Sequence, residues 1–350
     1  MEKLKKLARR YFIDAMSAMA HGLFASLLIG TIISALGMIP GLSFLTQVGS
    51  YAKAVAGPAM AVAIAWALKA HPLVIYSAAA VGWAANTEGG GGGPLAVLII
   101  TIIAVEIGML VSKKTKVDIV VTPFVTVLVG GGLALLIGSY FNMIVLFIKD
   151  FLSEAMTFQP LLMGIILAVV IGMVLTLPIS SAALCAALAL SGMGATGTPE
   201  IALAGGAAVA GCCAQMVGFA FMSFRENKWE GLVSQGLGTS MLQMSNIMRR
   251  PVIWIPPIVA SAVGGALAVG VFKMSMYSEA IYSGMGTCAL LGPIGIILGW
   301  FGGEYPGTVT AFDWIGLVLV CFIVPIVVSL GLGELFRKLG WIKEGDLKLQ

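Results

Sequence analysis

The sequence predicts an all-α, polytopic integral membrane protein. It has about ten transmembrane helices, re-entrant or broken segments and an internal duplication. Three observations lead there. The 350 residues are 59% hydrophobic and only 10% charged, with a mean hydropathy of +1.02, whereas soluble domains carry about 25% charged residues. Apolar runs near the length that crosses a bilayer recur along the chain. The 45 glycines suit the close helix contacts of membrane bundles.

The N-terminus, "MEKLKKLARRYFIDAMSAMAHG", places five basic residues before the first apolar run. By the positive-inside rule, residues 1–17 form a cytoplasmic amphipathic segment and the first span is uncleaved. Residues 18–333 then form the membrane domain, and 334–350 a basic cytoplasmic tail. Candidate spans are 51–69, 94–112, 119–140, 160–178, 199–222, 252–272 and 310–332. Residues 71–86, 179–192 and 281–301 are shorter or interrupted by glycine and proline. Residues 141–158 read as an interfacial amphipathic helix. Basic clusters at 112–118 and 224–251 mark cytoplasmic loops.

The duplication rests on an ungapped echo of "TPFVTVLVGGGLALLI" (122–137) in "PPIVASAVGGALAVGV" (256–271). It implies repeats of about 71–180 and 205–310. In such transporters, broken helices at equivalent places mark the solute site.

The chemistry-bearing residues are few. "NTEGGGGGP" (86–94) holds Asn86, Glu88 and the run that begins Gly89, Gly90. Glycines can turn several N–H groups on one point, and an acid beside them accepts hydrogen bonds from hydroxyls. The alternative is a hairpin in water with Glu88 solvated. "GWFGGEYPG" (299–307) repeats the pattern around Glu304. Glu106 lies inside the apolar run 94–112, where a charge must face protein or a cavity. It is a coupling candidate. His71 is a hydroxyl partner or an interfacial residue. Gln215 is an amide within an apolar run. The five cysteines lack metal or redox spacing, no P-loop or G-x-S-x-G elbow occurs, and the net charge of +4 is too scattered for nucleic acid. The sequence thus predicts no cofactor, no metal site and no self-contained catalytic site.

"KVDIVVTPFVTVLVGG", "GCCAQMVGFAFMSFRENKWEGLVSQGLGTSMLQMSNI" and "RRPVIWIPPIVAS" resemble a bacterial family classed with the IIC components of the sugar phosphotransferase system, perfringolysin-regulator-like proteins among them. The resemblance runs from about residue 10 to 330. It implies a permease of the bacterial inner membrane, homodimeric, served by separate IIA and IIB proteins. In better-known members a Gly-Ile-Thr-Glu-Pro-like segment and a histidine bind the sugar. The loose matches here are "NTEGG", "GGEYPG" and His71. The leading reading is a IIC-type permease that moves a small polar solute, a sugar or related compound, by alternating access. The alternatives are a carrier driven by an ion gradient and a membrane sensor that binds without transport.

Overall fold

A computed structural model describes residues 7, 9–193, 197–302 and 305–349. The described residues are helical, with no strand among them. The chain divides into two compact units, Met1–Val145 and Leu146–Gln350.

The first unit begins with α1 (Ala15–Leu36), which carries a widened turn at Phe24–Leu28. Next come α2 (Phe44–Ala54) and α3 (Ala56–Ala67), bent by 45° across Val55. α4 (Pro72–Gly89) starts on proline, whose missing N–H costs nothing at a first helical position. α5 (Gly93–Val111) follows after a single tight turn, Gly90–Gly92.

The apolar stretch Pro72–Val111 is folded back on itself at the glycines. A Cβ added to Gly108 would touch Val74, one on Gly93 would touch Asn86, and one on Gly89 would touch Ala96. From the turn outward, the Asn86–Gly93 and Val74–Gly108 pairs run in opposite senses, as they must in an antiparallel hairpin. The legs have 18 and 19 residues, or about 27–29 Å each, close to the thickness of the hydrocarbon core. The candidate span 71–86 is therefore a complete helix: its polar end, "NTEG", continues the helix to Gly89.

α6 (Asp118–Ala155) is continuous for 38 residues, about 57 Å. The expected division into a span at 119–140 and a surface helix at 141–158 is not present. Tyr140, Asn142 and Lys149 change the polarity of the helix without supplying a cap or a proline that would end it. The boundary between the two units falls within this helix.

The second unit is built round α9 (Pro199–Met222), whose most apolar stretch is 89% buried, against 22% for α6. Thr198 caps it by accepting from the Ile201 N–H, and Pro199 occupies its first position. Its sequence is mostly Ala, Gly and Cys, so neighbouring backbones reach it closely. Around it lie α7 (Pro160–Thr176), α12 (Ile255–Gly270) and α15 (Ala311–Lys338). Shorter helices join them: α8 (Ser181–Ala187), α10 (Phe224–Val233), α11 (Met244–Arg249), α13 (Ala280–Ser283) and α14 (Leu291–Phe301).

Among the described residues, six helical stretches are long and apolar enough to cross a membrane, or seven with the bent pair α2–α3. The chain is thus a multi-pass membrane protein, and the expectation of about ten spans is not met by this measure. The difference lies in α7, in 288–301 and in the hairpin, which counts once although it has two legs. The two echoed segments both lie in helices, α6 and α12. Their glycine pairs differ in use, since Gly131 of α6 meets open space while Gly265 of α12 packs on the Gly164 carbonyl.

The tail is not free. Ile342 and Leu347 are buried against Phe219, Met222, Ile253 and Phe336. Asn227 donates to the Leu347 carbonyl (2.8 Å), as does Gln243 (2.9 Å).

Candidate functional site

In each unit, one of the segments singled out from the sequence breaks helical order beside polar groups. In the first, the glycine run is a turn. Gly90 sits at φ +51°, ψ −126°, which glycine adopts without strain. Its N–H bonds the Thr87 carbonyl, the Gly93 N–H bonds the Gly90 carbonyl, and the Gly91 N–H donates to Asn142 Oδ1 at 3.1 Å. Three of the N–H groups expected to converge on a solute are thus used within the protein. A Cβ at Gly92 would overlap the Phe141 carbonyl, so the run also brings the turn against α6. Gly90→Ala is expected to cost about 1–3 kcal/mol, as for other residues forced into sparse backbone regions. Thermal unfolding in detergent measures it, and an unchanged midpoint would contradict the turn geometry.

Around that turn, Asn86 and Gly91 are half-buried, Gly89 is buried, and Glu88 and Gly90 are exposed. The Glu88 Cβ packs where Gly138 of α6 leaves room. His71 precedes the same helix, 17 residues away and therefore about 25 Å from Glu88. The two do not share a site. The Nδ1 of His71 is buried without a hydrogen-bond partner. Glu106, five residues before the end of α5, pairs with Arg10 at 2.8 Å. Arg10 also donates to the Leu68 carbonyl at 3.1 Å.

In the second unit, the segments expected to be broken are broken, and they interlock. Thr176 ends α7 because Leu177 precedes a proline and turns extended. Ser181, opening α8, donates to the Gly284 carbonyl at 2.7 Å; Ser283, closing α13, donates to the Leu190 carbonyl at 2.8 Å. Ser191 donates to Ser278. Between them the non-helical chain 273–279 crosses α9, with Met276 N–H on Ala202 and Gly192 N–H on Met276. Four non-glycine residues with positive φ lie here: Ala189, Lys273, Ala289 and Leu290. Each costs of order 1–3 kcal/mol, a strain that concentrates at functional sites.

Glu304 lies outside the described residues. Its neighbour in sequence, Tyr305, packs edge-to-face on Tyr277, ring centroids 5.5 Å apart, and residues 305–309 are non-helical before the capping box that opens α15 at Thr310 and Asp313. Burial, with Glu200 near one ring and Asp313 near the other, holds both phenols above the usual tyrosine range. They are therefore protonated donors at neutral pH. Carboxylates beside aromatic rings suit a hydroxylated solute, whose hydroxyls need acceptors and whose C–H faces need apolar cover. Sequence reasoning missed the tyrosines: they lie 28 positions apart, and single aromatics in an apolar chain carry no signal.

Gln215 is wholly buried in the middle of α9. Its Oε1 accepts from Trp254 Nε1 (2.9 Å) and Thr176 (3.3 Å), and its Nε2 donates to Ser261 (3.1 Å). Ser240 bonds Thr176 at 2.7 Å. The network joins four segments around the central helix. Among the described residues no group of His, Cys, Asp and Glu has the arrangement of a metal site.

Comparison with curated proteins and with solved structures returns no match. A family model described as phosphotransferase system, EIIC, matches residues 13–349.

Proposed function

The chain belongs to the phosphotransferase system EIIC family, and on that premise we propose that it carries a small hydroxylated solute, a sugar or related compound, by alternating access. Membership makes it a membrane-embedded transport component of that system, working with separate IIA and IIB proteins. The finer reading rests on one observation: two broken segments interlock against an almost wholly buried central helix. Broken helices of this kind supply backbone polar groups at membrane depth, where intact helices supply none.

Tyr277 and Tyr305, with Glu304 next in sequence, hold solute hydroxyls in the second unit. Glu88 and Asn86, at the glycine turn with Gly89 and Gly90, are the corresponding groups in the first. Gln215 orders the central helix beneath the broken segments. The protein is a homodimer in the bacterial inner membrane with its N-terminus cytoplasmic. The exposed apolar face of α6, including Phe124, Leu135 and Leu136, meets lipid or a second copy.

Uptake of labelled sugars into vesicles tests the reading. Accumulation of phosphorylated solute that requires phosphoenolpyruvate and added phosphocarrier, IIA and IIB proteins is the expected result. Uptake sustained by a sodium or proton gradient alone overturns it in favour of the gradient-driven carrier. Glu88→Gln and Glu304→Gln should each abolish solute binding with the unfolding midpoint unchanged; normal binding by both variants would refute the site.

A further inference from the structure

A cavity of about 680 Å³ opens where α9 ends, between α10 and the last turns of α15. Its size is that of a small-molecule site. Phe221, Phe224, Leu232 and Leu330 form apolar walls, and Trp229 stands at the mouth. Arg225 and Glu334 pair across the lip at 3.0 Å, with 67% and 38% of their side chains exposed. The level in the membrane follows from the helices. Phe221 is one residue from the end of a span, and α15 changes from "VPIVVSLGLG" to "ELFRK" at Glu334. The cavity therefore straddles the boundary between hydrocarbon and headgroups. Trp229 is 71% exposed at that level, where amphipathic indoles settle.

We propose that this cavity is a specific site for one phospholipid with a zwitterionic, primary-ammonium headgroup, phosphatidylethanolamine. The apolar walls take the upper acyl chain. The lip presents one cation and one anion side by side, matching a headgroup that carries one of each. The Arg225 guanidinium holds the phosphate through paired N–H donors, and the Glu334 carboxylate accepts from the ammonium. A choline headgroup has no N–H to donate. An anionic headgroup such as phosphatidylglycerol meets Glu334 without compensation. Free phosphate would leave the apolar walls unused.

Native mass spectrometry of the delipidated full-length protein, titrated with phosphatidylethanolamine, phosphatidylcholine or phosphatidylglycerol of identical acyl chains, tests the site. The expected result is one phosphatidylethanolamine per chain, bound roughly tenfold more tightly than the other two, a difference of about 1.4 kcal/mol. A Cβ at Gly331 meets open space, so Gly331→Leu fills the cavity without a backbone clash. It should remove the bound lipid while the unfolding midpoint holds. The Arg225→Gln, Glu334→Gln pair should bind all three lipids alike. Equal affinity for the three lipids in the parent protein, lipid retention in Gly331→Leu, or a second copy that excludes lipid from this face would each overturn the proposal.

Discussion

Gly206→Val is expected to leave almost no folded protein. A Cβ at Gly206 would overlap the Met274 carbonyl oxygen. The obstacle is backbone, so no rotamer change relieves it. Moving the non-helical chain 273–279 away from α9 breaks the hydrogen bonds that hold it. These are Met274 N–H on Ala268, Met276 N–H on Ala202 and Gly192 N–H on Met276, at 2.8, 2.9 and 2.9 Å. Three hydrogen bonds at about 1 kcal/mol each, plus an overpacking cost of 1–3, give roughly 4–6 kcal/mol. A domain whose whole stability is about 5–15 kcal/mol does not absorb that safely. Gly131→Ala is the control, since a Cβ there meets nothing within 4 Å. It should be neutral or slightly stabilising, because alanine is the better helix former. The readout is the monodisperse yield on size exclusion and the unfolding midpoint. A normal peak for Gly206→Val would mean that the segment 273–279 does not cross α9 as described.

The second large effect is expected at Glu226. Arg337 donates to both of its carboxylate oxygens, at 2.8 and 3.1 Å, and to the Met222 carbonyl at 3.3 Å. The two side chains are only 12% and 5% exposed, and Arg337 Nε is buried without a partner. Glu226→Ala therefore strands a cation already short of acceptors, a loss of about 3–5 kcal/mol. The Glu226→Ala, Arg337→Ala pair should be less damaging than Glu226→Ala alone, because no buried charge is left over. Glu334→Ala, which breaks the neighbouring exposed pair with Arg225, should cost at most about 1 kcal/mol. Thermal unfolding of the three variants decides it. Equal midpoints for Glu226→Ala and Glu334→Ala would show that burial does not separate the two pairs.

These effects sit where the chain was least legible. Hydropathy alone placed 199–222, and α9 spans Pro199–Met222, because Thr198 and Pro199 make a local start signal that needs no tertiary help. It also marked 179–192 and 281–301 as broken, since glycine and proline act on their own backbone. It failed at 141–158, where a change of polarity was mistaken for the end of a helix. Glu106 was legible as a charge that needs a partner, but Arg10 could not be named from 96 positions away. The glycine run was legible as either a turn or a solute-binding cluster, and the use of the Gly91 N–H, which depends on Asn142 51 positions on, was not legible at all. Gln215 stood out as an amide in an apolar run. Its partners Thr176, Ser240, Trp254 and Ser261 did not, because each is an ordinary residue in its own surroundings.

The sequence by itself determined the membrane class, most helix boundaries and the family. Each follows from transfer energies and backbone preferences that are summed over neighbouring residues. The tertiary structure alone decided which polar groups meet. It folded Pro72–Val111 into a hairpin, set Tyr277 against Tyr305, locked Ser181 and Ser283 onto each other's segments, and tied the tail to Asn227 and Gln243. Those contacts join positions up to 120 apart, and their existence depends on how whole helices pack, which no local preference encodes.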